Sequence, residues 1–412
     1  MTPLQTRCCI AGGGPAGMML GFLLARAGID VIVLEKHADF LRDFRGDTVH
    51  PSTLEVMHEL GLLDEFLKRP HTKFDRLSGN IGGTTVTVAD FRYLHSTCKF
   101  IVLMPQWDFL NFLAETGRRY PTFRVRMRTK VTDLIENDRT VAGVRATGPD
   151  GPVEIHADLV VGADGRHSIV RERAGLVVDD FGAPIDVLWM KLPKHPDDPD
   201  AALGNFNAGR ILVALDRGDY WQCAYVIRKG GFEAVKERGL QALRDDIVAV
   251  APIMGGRVDA LQDWDQVKLL TVTIDRLRQW YEPGLLCIGD AAHAMSPIGG
   301  VGINLAIQDA VATANILYPP LRMGRPNLSE LARVQRRRMF PTKATQGLQV
   351  FIQDRVISRV LQSAQTTTTG VPFPIRLLRM FPFLRRLPAR FVGIGFRPEH
   401  VHTPDASAPP AA

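Results

Sequence analysis

Cysteine is scarce in this chain and carries no pattern. Five thiols occur in 412 residues, at Cys8, Cys9, Cys98, Cys223 and Cys287, and none has CxxC or Cys/His ligand spacing. That argues against a zinc site and against a disulfide framework, and free thiols in a reducing cytoplasm are the simple account. A dominant charge is missing too. Fifty Lys and Arg face 44 Asp and Glu, for a formal net charge of +6, and the basic residues are scattered. No nucleic-acid partner is implied, whereas an enzyme handling anionic cofactors has this composition. Internal repeats are absent.

Long apolar runs are nearly absent. Cys8 to Ala25 is uncharged and of transmembrane length, and it follows Arg7 as a signal peptide might. It also holds five glycines and a proline. A buried parallel strand, a glycine turn and an apolar helix face explain it better than a membrane span.

That stretch, "CCIAGGGPAGMMLGFLLARAGIDVIVLEK", reads as a strand over 7–11, a helix over 16–27 closed by Gly28, and a second buried strand ending at Glu35. Gly12, Gly14 and Gly17 have GxGxxG spacing. Gly12 permits a tight turn, Gly14 lets a pyrophosphate approach the backbone, and Gly17 lets helix and strand pack closely. Pro15 and Ala16 open the helix, whose free N–H groups suit a diphosphate. Glu35, followed by Lys36, is placed to accept hydrogen bonds from ribose hydroxyls. An acid there disfavours a 2′-phosphate, so FAD or NAD is expected over NADP at this turn.

Two later segments bear on the choice. "DLVVGADGRHSIVRERAG" places Asp164 and Gly165 after a strand and before a helix near Ser168. "GLLCIGDAAHAMSPIGGVGINLAIQDA" ends a strand at Asp290 and then crowds glycines before a helix near Ile303.

With these three motifs in this order, the chain resembles the class A flavoprotein monooxygenases, the para-hydroxybenzoate hydroxylase-like family of FAD-dependent aromatic hydroxylases. The likeness runs from about residue 7 to 310. It implies a Rossmann-like α/β FAD-binding domain with an inserted β-sheet substrate domain and a helical C-terminal region. It implies that Asp290 holds the flavin ribityl chain and that the Asp164 motif serves FAD, with NAD(P)H a second candidate ligand. Arg45 is placed near the flavin or the incoming nicotinamide, and Gln106 at a cofactor-contacting position.

On this reading Gly300 and Gly302 let the backbone lie against the isoalloxazine ring. The helix near Ile303 points its positive end at the ring's N1–C2=O edge, worth about 0.3–1 kcal/mol to an anion. Asn304 adds an amide contact, and Pro297 shapes the oxygen-side wall. NADH or NADPH is the transient donor, and a flavin C4a-hydroperoxide passes one oxygen atom from O2 to an aromatic or other electron-rich small molecule.

The flavin domain is expected over 1–74, 97–180 and 268–340, the substrate domain over 75–96 and 181–267, a helical region over 341–403, and a disordered tail over 404–412. The prolines at 372, 374, 382 and 388 break any long amphipathic helix there. That basic region is expected to pack on the body or on a second subunit, the protein being a monomer or homodimer. In the strand 220–227, Trp221, Cys223, Tyr225 and Ile227 share one face, and Tyr220, Gln222 and Ala224 the other. One face covers core and one lines a pocket. The pattern does not assign which, so Gln222 and Tyr225 are both substrate candidates.

His50 is the nearest candidate general base, although Pro51-Ser52 after it suits a helix entry equally well. His293 is expected to make a structural or cofactor-shell hydrogen bond. A second GxGxxG is missing, which excludes a separate nicotinamide-binding domain, and a halogenase is disfavoured because no Trp-x-Trp-x-x-Pro segment occurs. A reductase of the geranylgeranyl reductase type, acting without oxygen insertion, is the rival enzyme class. A non-enzymatic FAD-binding protein is the third.

Overall fold

The computed structural model describes residues 3–41, 48–81, 84–198, 203–207, 209–362 and 373–407. The strand Leu4–Ala11 begins with alternating burial and ends fully buried, because its second half is covered on both faces. It pairs in parallel with Val31–Leu34 on one side and Gly151–Gly162 on the other. Parallel pairing continues outward to Phe123–Arg126 and to Leu285–Cys287. Tyr281–Glu282 closes one edge antiparallel, and Lys130–Asn137 and Thr140–Gly148 extend Gly151–Gly162 as a meander.

The helix Pro15–Arg26 returns the chain from the first strand to the second, as a parallel pair requires. Its residues Ala16 through Ala25 are all buried, and it packs against the long helix Gly302–Met323. Met18, Leu20, Phe22 and Leu24 have no exposed surface. Each such side chain contributes roughly 1.5–3 kcal/mol of burial free energy. The run of membrane-like length is therefore the centre of a core, and among the described residues no helix is long and apolar enough to cross a membrane. All five cysteines are free and buried. Burial pushes the Cys9 and Cys223 thiols up to about 12, so they behave as small apolar groups.

A second sheet runs in the order Lys268–Leu270, Ile185–Pro193, Tyr220–Arg228, Arg210–Asp216, Leu203–Asn207, Arg76–Ile81 and Thr84–Asp90. Two segments distant in sequence thus build one sheet, joined by the parallel pair of Leu203–Asn207 with Arg76–Ile81. The expected boundary at 268 shifts, because Lys268–Leu270 pairs with Ile185–Pro193 rather than with the flavin-type sheet. The expected boundary at 340 falls inside one helix, Leu328–Ile352, which an Asn327–Glu330 capping box starts.

Pro382 lies between two short helices, Phe373–Met380 and Arg386–Gly393, and Pro374 and Pro388 fall in their first turns. The tail departs from expectation as far as Ser407. Asp405 pairs with Arg26 at 3.4 Å and accepts from the Tyr120 hydroxyl at 3.2 Å, and Ala406 N–H donates to Arg26 O at 2.8 Å. The last turn of the first helix leaves carbonyls and a cation exposed, and this segment satisfies both. Residues 408–412 lie outside the described residues.

Candidate functional site

Leu34, Ala11, Gly162 and Cys287 form one register row across four parallel strands. The residues that follow them, Glu35, Gly12, Ala163 and Ile288, make the lip of the sheet at its carboxyl end. Open α/β sheets bind ligands there. Backbone hydrogen bonds fix the lip: Gly12 N–H to Leu34 O at 2.8 Å, Ala163 N–H to Ala11 O at 2.7 Å, and Ile288 N–H to Gly162 O at 3.0 Å. Three motifs far apart in sequence are brought to one edge.

Gly12 has φ +110°, and a Cβ there would lie 2.3 Å from Ala163 O. The first turn is thus pressed against the Asp164 segment. A Cβ on Gly17 would lie 2.0 Å from Gly12 O, whereas one on Gly14 meets nothing within 4 Å. Pro15 starts the helix with Gly14 at its N-cap, and neither a side-chain cap nor a first-turn acid is present. Glu35 is 8% exposed. Its carboxylate accepts from Gly13 N–H at 3.1 Å and His37 N–H at 2.9 Å. Lys36 is exposed.

The Asp164 carboxylate is engaged within its own turn. It accepts from the Ser168 hydroxyl at 2.5 Å, Ile169 N–H at 2.8 Å and Val170 N–H at 3.2 Å. Burial nevertheless raises its pKa against those hydrogen bonds. Asp290 accepts from Arg166 Nε at 3.1 Å, with side chains 33% and 23% exposed. Sequence reasoning missed Arg166. The signal was a cation directly after Asp164-Gly165, opposite in sign to the acid of the next motif.

Gly300 has φ +62°, and a Cβ there would lie 2.2 Å from Thr48 Oγ1. The helix Gly302–Met323 follows with no side-chain cap and no acid in its first turn, and a Cβ on Gly302 would meet nothing within 4 Å. Pro297 and Ile303 are half-buried beside this entrance. The Asn304 side-chain amide is engaged within the protein. Its Oδ1 accepts from His50 N–H at 2.9 Å and Thr53 Oγ1 at 2.8 Å, and its Nδ2 donates to Thr48 O at 3.0 Å and Gly300 O at 3.3 Å. The amide ties the loop to the chain around His50.

His50 is fully buried. Its Nδ1 lies 2.7 Å from Val392 O, so that nitrogen carries the proton, while Nε2 has no hydrogen-bond partner. Burial lowers its pKa to about 4, against the opposing hydrogen bond to Val392. Gln106 is the half-buried first residue of the helix Gln106–Gly117. Arg45 lies outside the described residues.

The second sheet settles which face of Tyr220–Arg228 is core. Trp221, Cys223, Tyr225 and Ile227 pack with Leu188, Leu212 and the helix residues Leu243 and Ile247. Tyr225 OH reaches Asp246 at 3.4 Å, so the substrate role expected for Tyr225 is corrected to a structural one. Gln222 points to the other face and accepts from Arg217 Nε at 3.1 Å. Further along that face, Val226 clusters with Ile185, Ile211 and Phe206, and Ile298 of the glycine loop joins them.

Beneath the loop lies a buried charge cluster. His293 Nε2 is 2.6 Å from Asp309 Oδ2, which also accepts from Gly289 N–H at 3.1 Å. His293 is therefore a structural partner of Asp309. Among the described residues no group of three or more His, Cys, Asp or Glu could hold a metal.

The residues fit an extended dinucleotide. Two helix N-termini lack both caps and acids, and Gly14 and Gly302 leave open the space beside them. An uncapped helix start attracts an anion through its free N–H groups. Glu35 and Asp290, at the two ends of the lip, supply acceptors for hydroxyl groups.

The comparisons with known proteins agree. A family model described as an FAD binding domain matches residues 5–347. The chain is 35% identical over 387 residues to 6-methylpretetramide 4-monooxygenase of Streptomyces rimosus, covering 93% of this chain and 92% of that one. It is 25% identical to para-nitrophenol 4-monooxygenase of a Pseudomonas strain, covering 80% and 82%. The crystal structure of PqsL, a probable FAD-dependent monooxygenase from Pseudomonas aeruginosa, superposes with a TM-score of 0.74 at 23% identity, covering 87% and 97%, and shows the same fold. These relatives do not favour the reductase alternative. The converging strand ends, the uncapped helices and the likeness along almost the whole length lead to one conclusion: the chain belongs to the FAD-binding-domain family, as a class A FAD-dependent aromatic monooxygenase.

Proposed function

We propose that this enzyme hydroxylates an uncharged, polycyclic aromatic small molecule in the cytoplasm, with NADH or NADPH as electron donor. The observation that carries the reading is that Ile298, in the loop after Asp290, packs against the apolar cluster of Ile185, Ile211 and Val226 of the second sheet with Ile357 and Leu361 of the C-terminal helices. An apolar sheet face meets the loop assigned to the flavin, and Trp189, Val213 and Ala224 continue that face. Such a wall suits a flat aromatic and keeps water from the reacting atoms. The relative named for 6-methylpretetramide supports a polycyclic substrate.

When bound, FAD supplies the electron transfer and the oxygen-transfer chemistry. The chain's own groups bind and orient. The start of the helix Pro15–Arg26 takes the diphosphate at Gly14, and Glu35 takes the ribose hydroxyls. Asp290, steadied by Arg166, takes the ribityl chain. The N–H groups at Gly302 and Ile303, at an uncapped helix start, would favour negative charge on the reduced ring. His50, neutral and with Nε2 unpaired, is the proposed acceptor for a phenolic proton.

The test is a panel of polycyclic phenols, scored for NADH- or NADPH-dependent bleaching of the yellow protein under 18O2. A supporting compound accelerates bleaching and gains one labelled atom. A panel that bleaches equally with and without aromatics, or a product without label, overturns the proposal.

A further inference from the structure

The loop that carries Pro297 is gripped from behind by the C-terminal helix. Gln346, Gln349 and Gln353 lie at spacings of three and four residues and so share one helical face. They are 3%, 3% and 0% exposed. Gln346 Nε2 donates to Ala294 O at 2.9 Å. Gln349 Nε2 donates to Ser296 O at 2.9 Å and Ile298 O at 3.0 Å, the carbonyls on either side of Pro297. Gln353 Nε2 donates to Ser296 Oγ at 2.8 Å, from a π-helical turn at Gln353–Ile357. Such turns recur at functional sites because they redirect one side chain.

The remaining carbonyls of the loop are also held by the protein. Met295 O accepts from Arg166 at 3.4 Å, Pro297 O from Gly300 N–H at 3.0 Å, and Gly300 O from Thr48 Oγ1 at 2.9 Å. From Ala294 to Ile298, and again at Gly300, every carbonyl oxygen is bonded to protein.

We infer that Gln349 is a positioning residue for the flavin-facing loop, holding the two carbonyl dipoles around Pro297 turned away from the ring so that the loop presents N–H groups to it. The inference rests on the FAD reading of this site. A carbonyl released toward the ring opposes the negative charge of reduced flavin, whereas oriented N–H groups favour it.

The experiment compares two variants of the FAD-loaded full chain. Gln349→Met keeps the length and removes the donors. Gln335→Met removes similar backbone hydrogen bonds at the other end of the same helix, where Gln335 joins Arg278 O and Trp280 N–H. Both are expected to lower thermal stability alike. Gln349→Met alone is expected to shift the flavin absorption bands, make the midpoint potential more negative and weaken FAD binding about fivefold, the ratio equivalent to one neutral hydrogen bond.

If Gln349→Met does not fold, Gln353→Met, which loses only the Ser296 hydroxyl contact, is read for the same spectral and potential shift. An FAD-bound Gln349→Met with the parent's spectrum and potential overturns the inference, as does an equal shift in Gln335→Met. A parent chain that takes up no FAD overturns the underlying reading instead, so the two failures are distinguishable.

Discussion

Arg338 Nε donates to Asp309 Oδ1 at 2.8 Å, with side chains 1% and 0% exposed. The pair joins the helix Leu328–Ile352 to the helix Gly302–Met323, which starts at the glycine loop after Asp290. Arg338 also reaches Glu399 at 3.1 Å, while Asp309 holds His293 and the backbone of Gly289. Burial works to raise the Asp309 pKa, but His293 and Arg338 hold it below the usual carboxylate value. The turn before Asp290 therefore takes its shape from residues up to 110 positions later.

Removing one partner of this cluster leaves a buried charge uncompensated. Arg338→Met is expected to cost about 3–5 kcal/mol of stability. Urea unfolding of the apoprotein measures it, and a loss below about 1 kcal/mol, the range of exposed pairs, would show that the cluster is not closed to water.

The glycines of the first turn separate folding from binding. Gly14→Ala has room for its methyl and an ordinary backbone conformation, so the apoprotein is expected to keep its melting temperature while FAD affinity falls. Gly12→Ala meets Ala163 O and a positive φ. It is expected to lose stability even without FAD, by a few kcal/mol of strain and overpacking. Calorimetry with and without FAD distinguishes them, and equal behaviour would contradict the open space above Gly14.

Asp290→Ala is expected to weaken FAD binding by about 10- to 100-fold, the value of one hydrogen bond to a charged group. Fluorescence titration of the apoprotein reads it. Arg166→Ala is expected to act in the same direction and more weakly, since its effect passes through Asp290. An unchanged dissociation constant in Asp290→Ala removes the ribityl assignment.

His50 makes stability depend on pH. Its folded pKa of about 4 lies below the unfolded value of about 6.5, so the unfolded chain binds the extra proton first. The full contribution is present above pH 6.5 and is lost as pH falls from about 6.5 to 4, by about 3 kcal/mol. His50→Asn is expected to flatten the stability profile in that window and to lower turnover while FAD stays bound. A profile unchanged by the substitution would place the titration elsewhere.

Much of the cofactor half was legible because it is written locally. A strand, a glycine turn, a helix and an acid at fixed spacing are consequences of short-range sterics and helix-end electrostatics, and Gly12, Gly17 and Glu35 lie where those demand. The partners of Asn304 were not legible, for the opposite reason. Its four hydrogen-bond partners include His50 and Thr53, more than 250 positions away, as the sequence separations of 251 and 254 record. Alternation along Tyr220–Arg228 showed two faces, but only the packing of Leu243 and Ile247 showed that Tyr225 belongs to the covered one.

The amino-acid order alone determined which segments are strands, turns and helix starts, since backbone conformation and period-two or period-3.6 burial are read from neighbours. The tertiary structure decided which side chains are already spent. Whether Asn304 or Gln349 has a free hydrogen-bonding donor depends on partners that only the folded chain brings within hydrogen-bond reach, and leaving a buried polar group without one is costly.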